Sequence, residues 1–235
     1  MDKPDKYISI DIETTALEPE DGVMIEFAAV VDNGEGTIAD LPCFRRLILP
    51  DNGILRGTAF ALAMNAEILR EIDAELKLPE RQRSGQSCHR TDLANQFKRW
   101  LDEVALVGDR PTIGGKNFAT FDSKFLRDRC NFFMAVAPHH RVFDPGNLYW
   151  RPAEDGYLLP DTAKCLARAG IPKAVSHRAL EDARDVCRLI RHHVGMSCMA
   201  HVAVSEMLGV GPRPIDPPRN DEPFDMEASM RVSDC

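Results

Sequence analysis

The acidic pair Asp11 and Glu13 stands in an otherwise apolar run, YISIDIE at positions 7–13. Side chains of a strand alternate between its faces, so residues i and i+2 point the same way. Two carboxylates side by side on a buried strand repel each other and lose water, a cost that a divalent cation removes. The spacing itself is common. With 37 acidic residues in the chain, chance supplies roughly one or two Asp-x-Glu triplets, and the chain holds three. Asp73/Glu75 falls in an amphipathic helical stretch and Asp225/Glu227 in an acidic tail, where both read as solvated charge. Only Asp11 and Glu13 lie in an apolar strand, which makes them the candidate metal ligands.

Further acids and a base follow downstream. Asp122, in KNFATFDSKFL, precedes a helical stretch and reads either as a helix N-cap or as a further carboxylate ligand. His177 and Asp182 form one of two His-x4-Asp pairs. The other pair ends at Asp144, where Pro145-Gly146 stops any helix, whereas Asp182 opens the last clear helix. Five helical residues turn through about 500°, which would leave His177 and Asp182 on different faces. His177 is therefore expected in the loop before that helix, reaching toward a site that Asp182 helps to build.

These residues need a scaffold. Residues 7–12, 23–32 and 41–49 read as three strands, with Asn33-Gly34-Glu35-Gly36 supplying a turn that pairs the second and third antiparallel. Ile68, Leu69, Ile72 and Leu76 fall at helical spacing behind Asn65 as N-cap, and 79–90 reads as a polar loop. Thr91 caps a helix through Leu93, Phe97, Trp100, Leu101 and Val104. A short strand at 111–114, a helix at 122–133, a strand at 140–144 and a helix at 160–169 come next. The last helix, 178–194, carries an apolar stripe of Ala179, Ala183, Val186, Cys187, Ile190 and Val194. Antiparallel strands followed by alternating helices and strands predict an α/β fold, a mixed sheet flanked by helices. Residues 1–208 form one domain in this reading. Residues 209–235, rich in Pro, Gly and charge, form an extended tail.

Composition narrows the class. The chain has 235 residues, 44% hydrophobic and 28% charged, with a net charge of −8. The polar, acidic first residues lack the look of a signal peptide, and no apolar run approaches the length of a membrane span, so a cytoplasmic protein without membrane association is expected. The seven scattered cysteines lack a Cys-x-x-Cys pair and read as reduced thiols. Cys187, His192, His193 and Cys198 do not have a recognised zinc spacing. The strongly basic surface usual for nucleic-acid binding is absent, although metal ions at a site can attract phosphate into an acidic protein.

Taken in order, Asp-x-Glu on a strand, Asn-x-x-x-Phe-Asp opening a helix and His-x4-Asp at the last helix, the chain resembles the DEDDh group of 3′–5′ exonucleases. That group includes proofreading exonuclease subunits, RNase T and oligoribonuclease. The matching text is SIDIETTAL, NFATFDSKFL and SHRALEDARDVCRLI, spread over residues 7–195. The related tyrosine type needs Tyr-x3-Asp, and that position here is Arg178.

The resemblance implies an RNase H-like fold and two Mg2+ or Mn2+ ions, with Asp11 bridging them and Glu13, Asp122 and Asp182 completing their shells. Oxygen ligands suit such hard cations, and a pair of cations stabilises both oxygens of an in-line displacement. His177 would be the general base, since imidazole titrates near neutrality, at about 6.5 in model peptides. Hydrolysis of single-stranded DNA or RNA from the 3′ end to nucleoside 5′-monophosphates would follow. Leu17 matches the apolar wedge against the terminal bases, and Thr14 and Thr15 match the segment approaching the last nucleotide. Met64 and Phe118 complete the substrate-binding candidates, although Phe118, Phe121 and Phe125 also read as core.

Two departures concern the nucleotide pocket. Ala16 stands where glycine is usual, and Met64-Asn65 where many relatives carry His-Gly. A rival reading is a replisome- or RNA-processing-associated binding module with an exonuclease fold, its tail docking a protein partner. A homodimer is left open.

Overall fold

Along β1 (Tyr7–Thr14), Ile8, Ile10 and Ile12 alternate with Tyr7, Ser9, Asp11 and Glu13, and this period of two divides the molecule. The isoleucines, at most 5% exposed, enter the main core with Phe27, Leu93, Phe97 and Phe132. On the opposite face Tyr7 clusters with Ala183, Val186, Cys187 and Ile190. There the Ser9 hydroxyl donates to the Ala183 carbonyl at 2.8 Å, so the last helix lies across the face that carries the two acids.

The computed structural model describes residues 6–104, 110–128, 130–172 and 174–207, with side-chain surroundings as far as 196. The chain divides into two compact units, Met1–Gly195 and Met196–Cys235. The first holds every strand of the sheet; in the second, residues 196–207 are helical. The expected tail, 209–235, lies outside the described residues.

The sheet has six strands in the order β4-β3-β2-β1-β5-β6. Strand β2 (Met24–Asp32) pairs antiparallel with β1 and with β3 (Cys43–Leu49). Strands β4 (Ser87–His89), β5 (Thr112–Gly114) and β6 (Val142–Phe143) are added in parallel. The sheet is mixed, as expected. The helices are α1 (Ala59–Met64), α2 (Ala66–Lys77), α3 (Arg90–Val104), α4 (Asp122–Arg127) and α5 (Phe132–Val136), then α6 (Pro145–Leu148), α7 (Pro152–Asp155), α8 (Thr162–Arg168) and α9 (Ala179–Met207). No helix among the described residues is long and apolar enough to cross a membrane.

Several boundaries differ from expectation for identifiable reasons. Asn65 precedes α2 but makes no capping bond. Its backbone already closes α1, which leaves its amide free to donate to the Thr14 carbonyl at 3.1 Å. Helix α3 begins at Arg90, so Thr91 lies inside its first turn. The stretch 122–133 is two helices, because Asp128 is extended and Asn131 is left-handed, with φ 52°. The supposed loop 79–90 contains β4, too short to show a period. The last helix runs on to Met207, and Val194, placed on its apolar stripe, is 54% exposed.

One polar knot anchors the start of β1. Asp32, fully buried, accepts the Tyr7 hydroxyl at 2.8 Å and the Arg191 guanidinium at 2.7 Å, joining β1, β2 and α9. Removing one partner of such a buried pair strands the other charge. Asp32→Ala is expected to cost about 3 kcal/mol, read as a lower urea midpoint at unchanged slope; an unmoved midpoint would exclude this anchoring role.

Candidate active site

The candidate residues meet at the C-terminal end of β1. Asp11 and Glu13 share the face turned toward α9, and Glu13 is 8% exposed. Asp122, the first residue of α4, is 2% exposed. The β1–β5 ladder ends at Ser9 and Gly114, and beyond it the Ile12 backbone amide hydrogen-bonds the Asp122 carboxylate. Gly115 allows this approach, because a Cβ there would lie 2.9 Å from the Ile10 carbonyl oxygen. Asp182, in the first turn of α9, accepts a hydrogen bond from the Ser176 hydroxyl at 3.1 Å. His177 is exposed, in the loop before α9 as expected, with a left-handed φ of 51°. One ligand atom each from Glu13, His177 and Asp182 lies within 4.8 Å of the others.

Electrostatics follow from this crowding. Burial lifts the Asp11 carboxyl well above the usual range, and the charges of Asp122, Glu13, Asp182 and Glu26 lift it further. Glu13 is raised to about 8 by burial and by Asp182, Glu26 and Asp122, with Arg178 opposing. Asp122 rises to about 7 through burial, although backbone hydrogen bonds hold it down. Burial raises Asp182 as well, against the Ser176 hydrogen bond and His177. A set of four carboxylates offers only hard oxygen donors, and Mg2+ or Mn2+ suits such a set better than a softer metal does. The donor chemistry fits a divalent cation.

The segments flanking the acids are closely packed. Thr14 is 9% exposed and donates to the Ala16 carbonyl at 2.7 Å, while Thr15 donates to the Arg56 carbonyl. A Cβ at Gly57 would come within 2.4 Å of the Thr15 carbonyl oxygen, so only glycine lets the two segments approach. Leu17 is 76% exposed and Met64 40%, both available to a ligand. Phe118 is not. It is 3% exposed and packed in the main core, which corrects its placement among the substrate contacts. Ala16, in place of glycine, is buried, and a Cβ on Gly22 would approach its methyl to 2.6 Å. Asn65 is 1% exposed and its Oδ1 has no hydrogen-bond donor among the described residues.

One residue escaped the sequence reading. Glu26 is fully buried on β2, directly opposite Glu13. The available signal was a lone acid in the apolar run VMIEFAAVV.

No protein-family model matches the sequence. The chain is 26% identical over 201 residues to the Oligoribonuclease of Hahella chejuensis (strain KCTC 2396), covering 82% of this chain and 95% of that protein. Its fold is similar to E. coli Exonuclease I in complex with a dT13 oligonucleotide, with a TM-score of 0.51 and 15% identity over 79% of this chain. The zinc-bound form of the E. coli ExoI–ssDNA complex gives 0.51 and 14% over 79% of the chain, and the Exonuclease I of Methylocaldum szegediense gives 0.50 and 14% over 80%. The chain spans 40% of the length of each of these Exonuclease I chains. The shared architecture is the RNase H-like fold.

A carboxyl whose pKa is higher in the folded chain than in the unfolded one destabilises the fold increasingly as pH climbs between the two values. That window runs from 4.5 to about 8 for Glu13 and from 3.8 to about 7 for Asp122. In EDTA the melting temperature is therefore expected to drop between pH 5 and pH 8, and Mg2+ to restore more of it at pH 8 than at pH 5. A melting temperature flat across this range would mean that burial in the folded site does not raise these carboxyls.

Proposed function

We propose, from the premise that homology and fold support the DEDDh 3′–5′ exonuclease family, that this protein hydrolyses single-stranded nucleic acid from its 3′ end to nucleoside 5′-monophosphates. The observation that carries this reading is the convergence of Glu13, His177 and Asp182 at the end of the strand that also bears Asp11, with Asp122 bonded to that strand's backbone.

In this reading Asp11, Glu13, Asp122 and Asp182 hold two divalent cations, which when bound supply positive charge to the attacking and leaving oxygens. His177 accepts the proton of the attacking water at an imidazole nitrogen. The bond that breaks joins phosphorus to the 3′ oxygen of the preceding nucleotide, and that oxygen leaves with the shortened strand. The exposed position of His177 lets water and substrate reach the base, whereas Glu13 and Asp122 are buried and Asp11 and Asp182 partly so. Leu17 and Met64 offer apolar surface against the terminal bases, and Thr14 lines the approach to the last nucleotide. The Oligoribonuclease relative and the oligonucleotide-bound Exonuclease I structures support RNA and DNA respectively, so both enter the test.

The decisive measurement is a time course on 5′-labelled single-stranded RNA and DNA of one sequence, with Mg2+ or with EDTA. A metal-dependent ladder shortening from the 3′ end is expected; absence of a ladder on both strands with Mg2+ present would overturn the assignment. Asp11→Asn should reduce turnover to near background while the protein stays folded, since the site is not needed for folding. His177→Ala should lower kcat by about 10²–10⁴-fold, the usual worth of a positioned general base. Wild-type kcat in either variant would remove that residue from the chemistry.

A further inference from the structure

His177 poses a positional problem. It is exposed, and its φ of 51° lies in the left-handed region that residues other than glycine adopt uncommonly. On its N-terminal side the Ser176 hydroxyl is tied to Asp182 at 3.1 Å. On its C-terminal side the constraint is larger and is built from charges.

Arg178 donates to Glu71 on α2 at 2.7 Å and lies 3.7 Å from Glu26 on β2. Arg45 on β3 donates to Glu71 at 2.7 Å and also to Glu26. Each acid thus faces both arginines, and the four charges close into a ring, with Glu67 a further acid 4.0 Å from Arg178. Glu26, fully buried, additionally accepts the Ala179 backbone amide at 2.9 Å, which satisfies an otherwise unpaired donor at the start of α9. The ring therefore grips the two residues that follow His177 from two strands and one helix. Its side chains are only partly exposed, Arg178 to 27% and Arg45 to 21%, unlike the solvent-facing Lys77–Asp73 pair. A charge cluster built around a buried acid such as Glu26 is a poor way to gain stability, because apolar residues of the same volume do as well. What it does supply is a fixed geometry.

We propose that this ring sets the position of His177, so that Arg178 and Glu71 are positioning residues for the hydrolytic step; this rests on His177 being the general base. Helix α2 carries Glu71 and begins beside Asn65, whose amide holds the Thr14 carbonyl. The loop bearing the base and the strand bearing the acids are thereby referred to the same helix.

The test compares the full chain with Arg178→Gln, Glu71→Gln and Arg178→Lys on labelled single-stranded RNA with Mg2+. Both Gln variants should lose roughly 10- to 100-fold in kcat, the scale of a small misplacement of a catalytic group, while KM stays within about threefold. Arg178→Lys should recover part of the loss. Added to His177→Ala, Arg178→Gln should leave kcat within about twofold of His177→Ala alone, because no base remains to be positioned. A further tenfold drop there, or wild-type kcat in both Gln variants, would overturn the proposal. A second readout needs no substrate. The His177 imidazole resonances, assigned by their loss in His177→Ala, should shift in Arg178→Gln and Glu71→Gln and stay in place in Asp73→Asn. Unshifted resonances in the two Gln variants defeat the positioning proposal even in an active enzyme. Shifted resonances in a protein that does not cleave either strand defeat the exonuclease reading instead.

Discussion

Repulsion among acids gathered at one end of a buried strand is the constraint to which the rest of this structure answers. Asp11 and Glu13 share a face of β1, Asp122 is bonded to the same strand, and Asp182 approaches from α9. Left alone, such a set protonates or pushes itself apart. Two kinds of positive charge oppose it. One is the arginine pair Arg45 and Arg178, drawn in by Glu26 and Glu71 just behind the site. The other would be a divalent cation, for which the donor set is chemically suited. The arginines are already engaged by acids of their own and sit behind the cluster rather than in front of it.

Much of this was legible in the residues. The alternation of Ile8, Ile10 and Ile12 with Ser9, Asp11 and Glu13 is a local pattern, and it reports directly which side chains share a face. The stripe of Ala179, Ala183, Val186, Cys187 and Ile190 likewise marked the face that α9 lays against β1. What was not legible depended on contacts far apart in the chain. Strand β4 exists because β3 offers it an edge, and nothing in Ser87–His89 alone announces a strand. The break between α4 and α5 rests on the left-handed Asn131, a conformation that asparagine adopts without requiring it.

The same division runs through the site. Asp11, Glu13, Asp122, His177 and Asp182 were singled out from type, spacing and order, and of these the structure brings Glu13, His177 and Asp182 within reach of one another. Asn65 carried a capping signature but is used by the tertiary structure instead, its amide committed to Thr14. Phe118 illustrates the converse, since an aromatic residue beside a nucleic-acid motif suggests stacking and here fills the core. Glu26 shows what a pairing register adds. Its value as a hub is invisible until β2 is laid antiparallel on β1 and the two glutamates stand opposite each other.

The knot of Tyr7, Asp32 and Arg191 lies at one end of β1 and the acids toward the other, about 13 Å away for Asp11 and about 20 Å for Glu13 at the usual rise of a strand. Perturbations that far apart, without shared partners, add independently. The strand is thus a long lever with its fastening and its working tip at opposite ends. Tolerance to heat or solvent can drift at the fastening without disturbing the tip, which leaves the fold free to adapt to a new environment while its chemistry stays as it was.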